Sequence, residues 1–330
     1  MTHTQETPLL EVRDLRVEIS TKAGKFFPVN GHNFTLNSGE TLGVVGESGS
    51  GKSMTAMSLV RLLPKHAARV TSGSIKLEGR ELLSLSRSEM RKVRGRDIAM
   101  ILQDPQTSLN PSFTVGNQIT EALRLHAPGP RSTLRERAIE ALRKVKVAAP
   151  EHRVDSYPSQ LSGGMRQRVV GAIAISCAPK VIIADEPTTS LDVTVQAQYL
   201  RLLKELQEDT GMGIIFITHD FGIVANLCHR IVVMYFGRIV ESGTVERIFA
   251  KPAHPYTEAL IAAVPKLHGH KGRLRTIPGS PPPQSEQPPG CPFAPRCEMA
   301  DTRCFTELPP TVDADGDGEH LASCWRVAGQ

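Results

Sequence analysis

One short stretch constrains this chain more than any other. Gly46-Glu47-Ser48-Gly49-Ser50-Gly51-Lys52-Ser53 fits the pattern G-x-x-x-x-G-K-[ST] without a mismatch. An apolar run, Thr41-Leu42-Gly43-Val44-Val45, leads into it, and apolar residues recur at helical spacing from Ser53 to Leu63. Strand, glycine loop and helix in that order predict an α/β sheet with a phosphate-sized cradle at a strand end. The glycines let backbone N–H groups turn inward with no Cβ in the way, and the helix adds the positive end of its dipole. In such a cradle, running from Gly46 through Met54, Lys52 reaches the β- and γ-phosphates of a nucleotide and the Ser53 hydroxyl ligates Mg²⁺.

A second apolar strand, Val181-Ile182-Ile183-Ala184, ends in Asp185-Glu186. Strand ends at the carboxyl edge of an open α/β sheet are where ligands bind, so Asp185 is placed to hold Mg²⁺. Glu186 points differently because strand side chains alternate, and it is the candidate to polarise an attacking water. Between the two strands lies Leu161-Ser162-Gly163-Gly164-Met165-Arg166-Gln167. Ser162, Gly163 and Gly164 open a helix whose N–H groups have no use in an isolated nucleotide site. They become intelligible when two such chains face each other. Gln103 and His219 are ordinary residues by themselves and gain interest only beside these motifs.

The rest of the chain sets bounds. The 330 residues allow one large core or a core with an appendage, and 40% apolar and 22% charged residues describe a globular protein. A formal charge of +5 and 5% aromatics argue against a nucleic-acid partner. No basic and then apolar leader opens the chain, and its apolar runs fall short of the roughly 18 residues of a spanning helix. The expectation is a cytoplasmic protein whose membrane association comes through partners. Residues 8 to 45 read as strands, and Ser132 to Val147 as an amphipathic helix within a helical block of about 87–179. Pro278 to Gly290 is a proline-rich linker.

Four of the six cysteines follow that linker, as Cys291-x5-Cys297-x6-Cys304-x19-Cys324. So small an appendage needs a staple, and in a reducing compartment metal is the natural one. The spacing lacks paired C-x2-C knuckles. It suits either a [4Fe–4S] cluster or an irregular four-thiolate Zn²⁺ site, with free thiols as the remaining alternative. Cys177 and Cys228 sit among apolar residues and read as small core hydrophobes. Asp313-Ala314-Asp315-Gly316-Asp317-Gly318 imitates the start of an EF-hand loop, but the twelfth position is Cys324 where a bidentate Glu is needed, so it reads as a solvated acidic turn.

Taken together, these residues resemble the ATP-binding subunits of ABC transporters over roughly residues 8 to 245. The resemblance makes the glycine loop the Walker A motif and the strand ending in Asp185-Glu186 Walker B. Gln103 becomes the Q-loop glutamine, Ser190-Leu191-Asp192 the D-loop, His219 the switch histidine and Leu161 to Gln167 the signature. Met165 stands where many members have glutamine. The implied fold is α/β: a P-loop NTPase core with an antiparallel β subdomain and an inserted α-helical subdomain, covering 1–245. A small Cys-rich extension, 246–330, completes the chain. Gln103-Asp104-Pro105-Gln106-Thr107-Ser108-Leu109-Asn110-Pro111, His254 to Leu260 and Gly279 to Pro282 resemble the oligopeptide and dipeptide importer branch more finely. That branch implies an iron–sulfur cluster on the tail cysteines.

The resemblance also implies a head-to-tail dimer holding ATP between one Walker A loop and the partner's signature. Ser162, Gly163, Gly164, Gln167 and Asp192 would then contact nucleotide, Gln103 would join Ser53 and Asp185 at Mg²⁺, and Lys52, Glu186 and His219 would serve hydrolysis. An aromatic upstream of Walker A commonly stacks on adenine, and Phe26 and Phe27 are the candidates, with core packing as the alternative. Expected partners are a second ATPase subunit, a related chain in a heterodimer, two membrane permeases and an extracytoplasmic solute-binding protein. The expected place is peripheral, on the cytoplasmic face of the membrane. Peptides are the expected cargo, with nickel, glutathione or sugar as alternatives in the same branch. A soluble ABC ATPase or a non-catalytic iron or redox regulator are the readings from other classes.

Overall fold

The computed structural model describes residues 7–22, 24–127, 129–189, 191–264, 276–284 and 286–329. They divide into two compact units, each assembled from separated stretches of chain.

One unit combines Leu36–Glu40 and Ser84–Ile217 with the segment ending at Leu9. Its strands Ile98–Ile101, Val181–Asp185 and Gly213–Thr218 run parallel, with Ile98 opposite Val181 and Val181 opposite Gly213. Every residue of the latter two strands is buried. Continuous Ile and Val runs of this kind belong to a parallel sheet covered on both faces. The crossover between them is the helix Val193–Thr210, opened by the side chain of Asp192 and closed by Gly211 at φ 69°.

The three longest helices of this unit before the middle strand are Val115–His126, Leu134–Lys144 and Gly163–Ile175. The first buries Val115, Gly116, Ile119 and Leu123, a stripe at helical spacing, and Thr114 caps it. The second is the core of the amphipathic stretch expected at 132–147. The strand Ile98–Ile101 lies inside the span read as helical. Its four residues follow the charged run Arg94 to Asp97, and so short an apolar segment gives no periodicity to read.

The other unit combines Leu10–Thr35, Thr41–Leu83 and Thr218–Gln330. An antiparallel sheet orders Gly24–Leu36, Leu10–Thr21, Ala68–Leu77 and Arg80–Glu81. Leu10–Thr21 is a single irregular strand. Its register shifts twice between Arg13 and Val17, and Asp14 takes φ 41° there. Separately, Thr41–Val45 lies parallel to Arg230–Tyr235, which turns through Phe236 and Gly237 into antiparallel Arg238–Thr244.

The tail extends this second sheet. Leu321–Ala322 pairs with Arg238–Thr244, and Val312–Asp313 pairs with Leu321–Ala322. Beneath it Val45, Phe221, Val224, Val233, Tyr235, Tyr256 and Phe293 form one apolar cluster, with Cys291 and Cys297 packed on its margin. The cysteine-bearing extension thus shares a core with the strand that feeds the glycine loop. Its acidic turn is more firmly held than expected: Arg247 pairs with Asp317 at 2.6 Å and with Glu319 at 3.1 Å. The Asp313 carboxylate is occupied with the loop's own backbone, accepting from the Asp315 N–H at 3.1 Å and from the Gly318 N–H.

Candidate nucleotide site

Two glycines of the loop are dictated by geometry. Gly46 holds φ 154° and an added Cβ would lie 2.2 Å from the Met234 carbonyl oxygen; at Gly51, φ 104°, it would lie 1.9 Å from that of Pro28. Backbone passes too close at both places for any side chain. Gly51 is also the residue from which the helix Lys52–Leu59 starts. Lys52 is only 6% exposed, and its Nζ donates to the Gly46 carbonyl at 2.7 Å and the Glu47 carbonyl at 3.0 Å. The ammonium is therefore folded into the cradle, with Ser48 and Gly49 exposed and Ser50 buried; Ser53 and Met54 are half-buried at the start of the helix. A concavity that Cβ atoms would fill, a helix N-terminus and a buried cation suit a polyphosphate.

The same unit carries His219, exposed just past the strand Gly213–Thr218. Asp220 beside it caps the helix Phe221–Leu227, accepting from the Gly222 N–H at 2.7 Å. Phe26 and Phe27 are half-buried in the strand Gly24–Leu36. Sequence reasoning missed three residues that touch the loop. Tyr256 accepts from the Glu47 N–H at 2.9 Å, Gln284 donates to the Gly49 carbonyl at 2.9 Å, and Arg296 donates to the Glu47 carboxylate at 2.6 and 3.0 Å. No local pattern could have exposed them, since Arg296 lies 249 positions beyond Glu47.

In the other unit Asp185 closes its strand and is 5% exposed. Glu186 follows at φ 45°, a left-handed conformation that costs a non-glycine residue about 1–2 kcal/mol. Its N–H still bonds the Ile217 carbonyl at 3.0 Å. Its carboxylate accepts from the Gln103 amide at 3.1 Å and the Thr189 hydroxyl at 3.1 Å. The side chain therefore departs from its neighbour's direction because the backbone turns left, and strand alternation is not the cause. Exposed Gln103 and the carboxylate are brought together as a pair. Gln103 and Asp185 in this unit carry side-chain oxygens, the donor type that Mg²⁺ takes.

Ser162 is exposed and caps the helix Gly163–Ile175, accepting from the Met165 N–H at 3.4 Å. A Cβ on Gly163 would meet nothing within 4 Å, whereas one on Gly164 would strike Val195 at 2.7 Å. Packing within the chain explains the second glycine but not the first. Gln167, expected to contact nucleotide, is instead fully buried. The helix Gly163–Ile175 is exposed only at its start and runs inward from Gln167, burying Val169, Val170 and Ala172 as well. Asp192 has a local duty, holding the Val195 N–H at 2.9 Å. Ser190 lies outside the described residues.

The metal reading of the tail gains no support. Among the described residues no group of three or more His, Cys, Asp or Glu side chains is gathered where it could hold a metal ion. Cys291 and Cys304 are tied through backbone, N–H to carbonyl at 2.8 Å. Burial pushes the Cys291 thiol up to about 11 and raises Cys297 and Cys304 as well. As placed, Cys291 and Cys297 pack against the apolar cluster. No helix among the described residues is long and apolar enough to cross a membrane.

Comparison with known proteins agrees with this geometry. Residues 29–189 match the ABC transporter family, and residues 240–304 match the oligopeptide/dipeptide transporter C-terminal region. The “Probable peptide ABC transporter ATP-binding protein y4tR” of Sinorhizobium fredii is 50% identical over 319 residues, 96% of this chain and 95% of that protein. The oligopeptide transport ATP-binding protein OppD of Haemophilus influenzae is 48% identical over 321 residues, 97% of this chain and 98% of that one. Among solved structures, the ATP-binding cassette MJ0796, a dimer bound to ADP and Pi after hydrolysis, aligns with TM-score 0.64 and 26% identity. It covers 72% of this chain and 98% of its own. With near-full-length identity of this order and both regions in place, the chain belongs to the ABC transporter family of ATP-binding proteins, in the branch that carries the oligopeptide/dipeptide transporter C-terminal region.

Proposed function

We propose that this chain is the ATP-hydrolysing subunit that powers peptide import through an ABC transporter. The observation that carries the reading is the Glu186 carboxylate. It is held at a strained turn by two neutral donors, Gln103 and Thr189, each at 3.1 Å. Such a carboxylate can accept a proton from water, and the turn's strain is repaid by function. Lys52 and the loop from Gly46 to Met54 would bind the phosphates, and Ser53, Gln103 and Asp185 would hold Mg²⁺, which would supply charge neutralisation. His219 contacts the terminal phosphate. Asp192 contributes from the D-loop.

In this reading two ATPase subunits, this one and a related chain, close head to tail. The exposed helix start at Ser162, Gly163 and Gly164 then meets the nucleotide held by the other subunit. Open space around Gly163 supports that assignment. Two permeases and an extracytoplasmic solute-binding protein complete the transporter, with this chain peripheral on the cytoplasmic face. The peptide cargo rests on the names of the relatives; nickel, glutathione or sugar would be other cargo of the same branch. Domain limits of 1–245 and 246–330, with the helical insertion at about 87–179, belong to the same proposal.

The test is Glu186→Gln in the reconstituted transporter. Hydrolysis and peptide uptake should fall at least about a hundredfold, on the order of 3 kcal/mol of barrier, while ATP binding persists. Unchanged hydrolysis would sink the assignment. A separate proposal concerns Cys291, Cys297, Cys304 and Cys324 as ligands of a [4Fe–4S] cluster, or of Zn²⁺. It rests on their spacing along the chain. Iron, sulfide and zinc analysis of anaerobically purified protein decides it, and metal-free protein overturns it.

A further inference from the structure

An acidic residue in a phosphate-binding loop is electrostatically awkward, and Glu47 is the second residue of this one. Its side chain is 30% exposed, whereas that of its partner Arg296 is 4% exposed. Arg296 grips both carboxylate oxygens, one with each terminal nitrogen, at 2.6 and 3.0 Å. Such a fork is fixed in direction as well as in charge. The rest of the guanidinium is fixed too. Its Nε donates to the Pro278 carbonyl at 2.9 Å and a terminal nitrogen to the Tyr235 hydroxyl at 3.3 Å, and the Tyr235 and Phe293 rings lie 5.8 and 5.9 Å away. Arg296 is thus a built element that reaches the loop from the cysteine-rich extension.

Two more contacts come from the same stretch of chain. Fully buried Tyr256, its ring 4.7 Å from Tyr235 and 5.2 Å from Phe293, takes the Glu47 N–H. Gln284, in the proline-rich linker, takes the Gly49 carbonyl. The extension therefore holds the loop at Glu47 and at Gly49, and at the first it cancels a negative charge.

We infer that Arg296 is a positioning residue for nucleotide, neutralising Glu47 and orienting the loop so that the polyphosphate meets Lys52 without opposition. The inference rests on the reading that the loop Gly46 to Ser53 binds nucleotide phosphates. It makes the C-terminal extension a working part of the nucleotide site.

Three full-length variants, Arg296→Gln, Glu47→Gln and the double variant, are titrated with a fluorescent ATP analogue and with ATP in competition, at low and high salt. Arg296→Gln should bind ATP about fivefold more weakly, the effect of one uncompensated charge at partly solvated range. The loss should be smaller for ADP, and smaller in 0.5 M salt because the charge is screened. The double variant should return to within about twofold of the parent, since the offending carboxylate is gone. Glu47→Gln alone should bind ATP at least as tightly as the parent, and this holds the inference to account even if Arg296→Gln fails to fold. Equal weakness of the single and double variants, or a loss of more than about threefold in Glu47→Gln, overturns the inference. Failure of the parent protein to bind ATP overturns the nucleotide reading instead.

Discussion

Replacing His320 with Gln should unfasten the tail from the sheet. His320 is fully buried between two carboxylates, its Nε2 2.7 Å from Glu241 and its Nδ1 3.0 Å from Asp315. Glu241, itself 1% exposed, also accepts from the backbone N–H groups of Ala253 and His254 at 2.8 and 2.9 Å. One side chain therefore joins the strand Arg238–Thr244, the helix Pro255–Ala262 and the acidic turn. Removing one partner of a buried charged pair costs about 3–5 kcal/mol. Glu241 keeps two backbone donors and Gln offers an amide, so about 2–3 kcal/mol is expected, a charged hydrogen bond being worth about 1.5–3 kcal/mol.

The pH dependence has a definite sign. The bond to Glu241, followed by the one to Asp315, holds the His320 pKa above its usual 6.5, so folding favours the cation. That stabilisation is complete below about pH 6.5 and disappears as pH climbs through the raised folded value. Arg247, 3.7 Å from Asp315, and neutral His254, whose pKa burial lowers to about 4, face the same group and do not reverse the direction. Calorimetry from pH 6 to 9 reads the effect. His320→Gln should lower the melting transition of the unit containing the tail by about 5–10 °C at pH 6, with the gap narrowing by pH 9. A gap under 1 °C, or one that widens with pH, would refute the reasoning.

Gly51→Ala sets a methyl group 1.9 Å from the Pro28 carbonyl at φ 104°, so the loop must rearrange; ATP binding should drop by at least about a hundredfold in calorimetric titration, and binding within threefold of the parent would contradict the geometry. Cys228 is partly buried against the apolar cluster, and that burial raises its thiol pKa, so iodoacetamide should label it far more slowly in the native protein than on unfolding, as peptide mapping by mass spectrometry would show; equal native and unfolded labelling rates would refute this.

Much of the nucleotide site was legible because its chemistry is local. Glycines at fixed spacing, an apolar strand ending in two carboxylates and a serine before two glycines each carry their meaning within eight residues. What escaped was long-range or conformational. Gln167 sits in the signature, yet the helix has already entered the core by that residue. The left-handed backbone at Glu186 has no sequence mark, since glycine or asparagine would be the usual signal. Ile98–Ile101 was too short to declare itself a strand. Arg296, a lone cation among prolines and cysteines, gains its role only when the fold carries it to Glu47.

That last contact has a bearing on biosynthesis. Arg296 emerges 249 positions after Glu47, and chains grow at about 5–20 residues per second. For roughly 12–50 s the nascent loop carries an unescorted carboxylate, and the apolar bed that later receives Phe293 stays uncovered. The ribosome must thus pass Arg296 before the glycine loop, made 249 positions earlier, can settle against its partner.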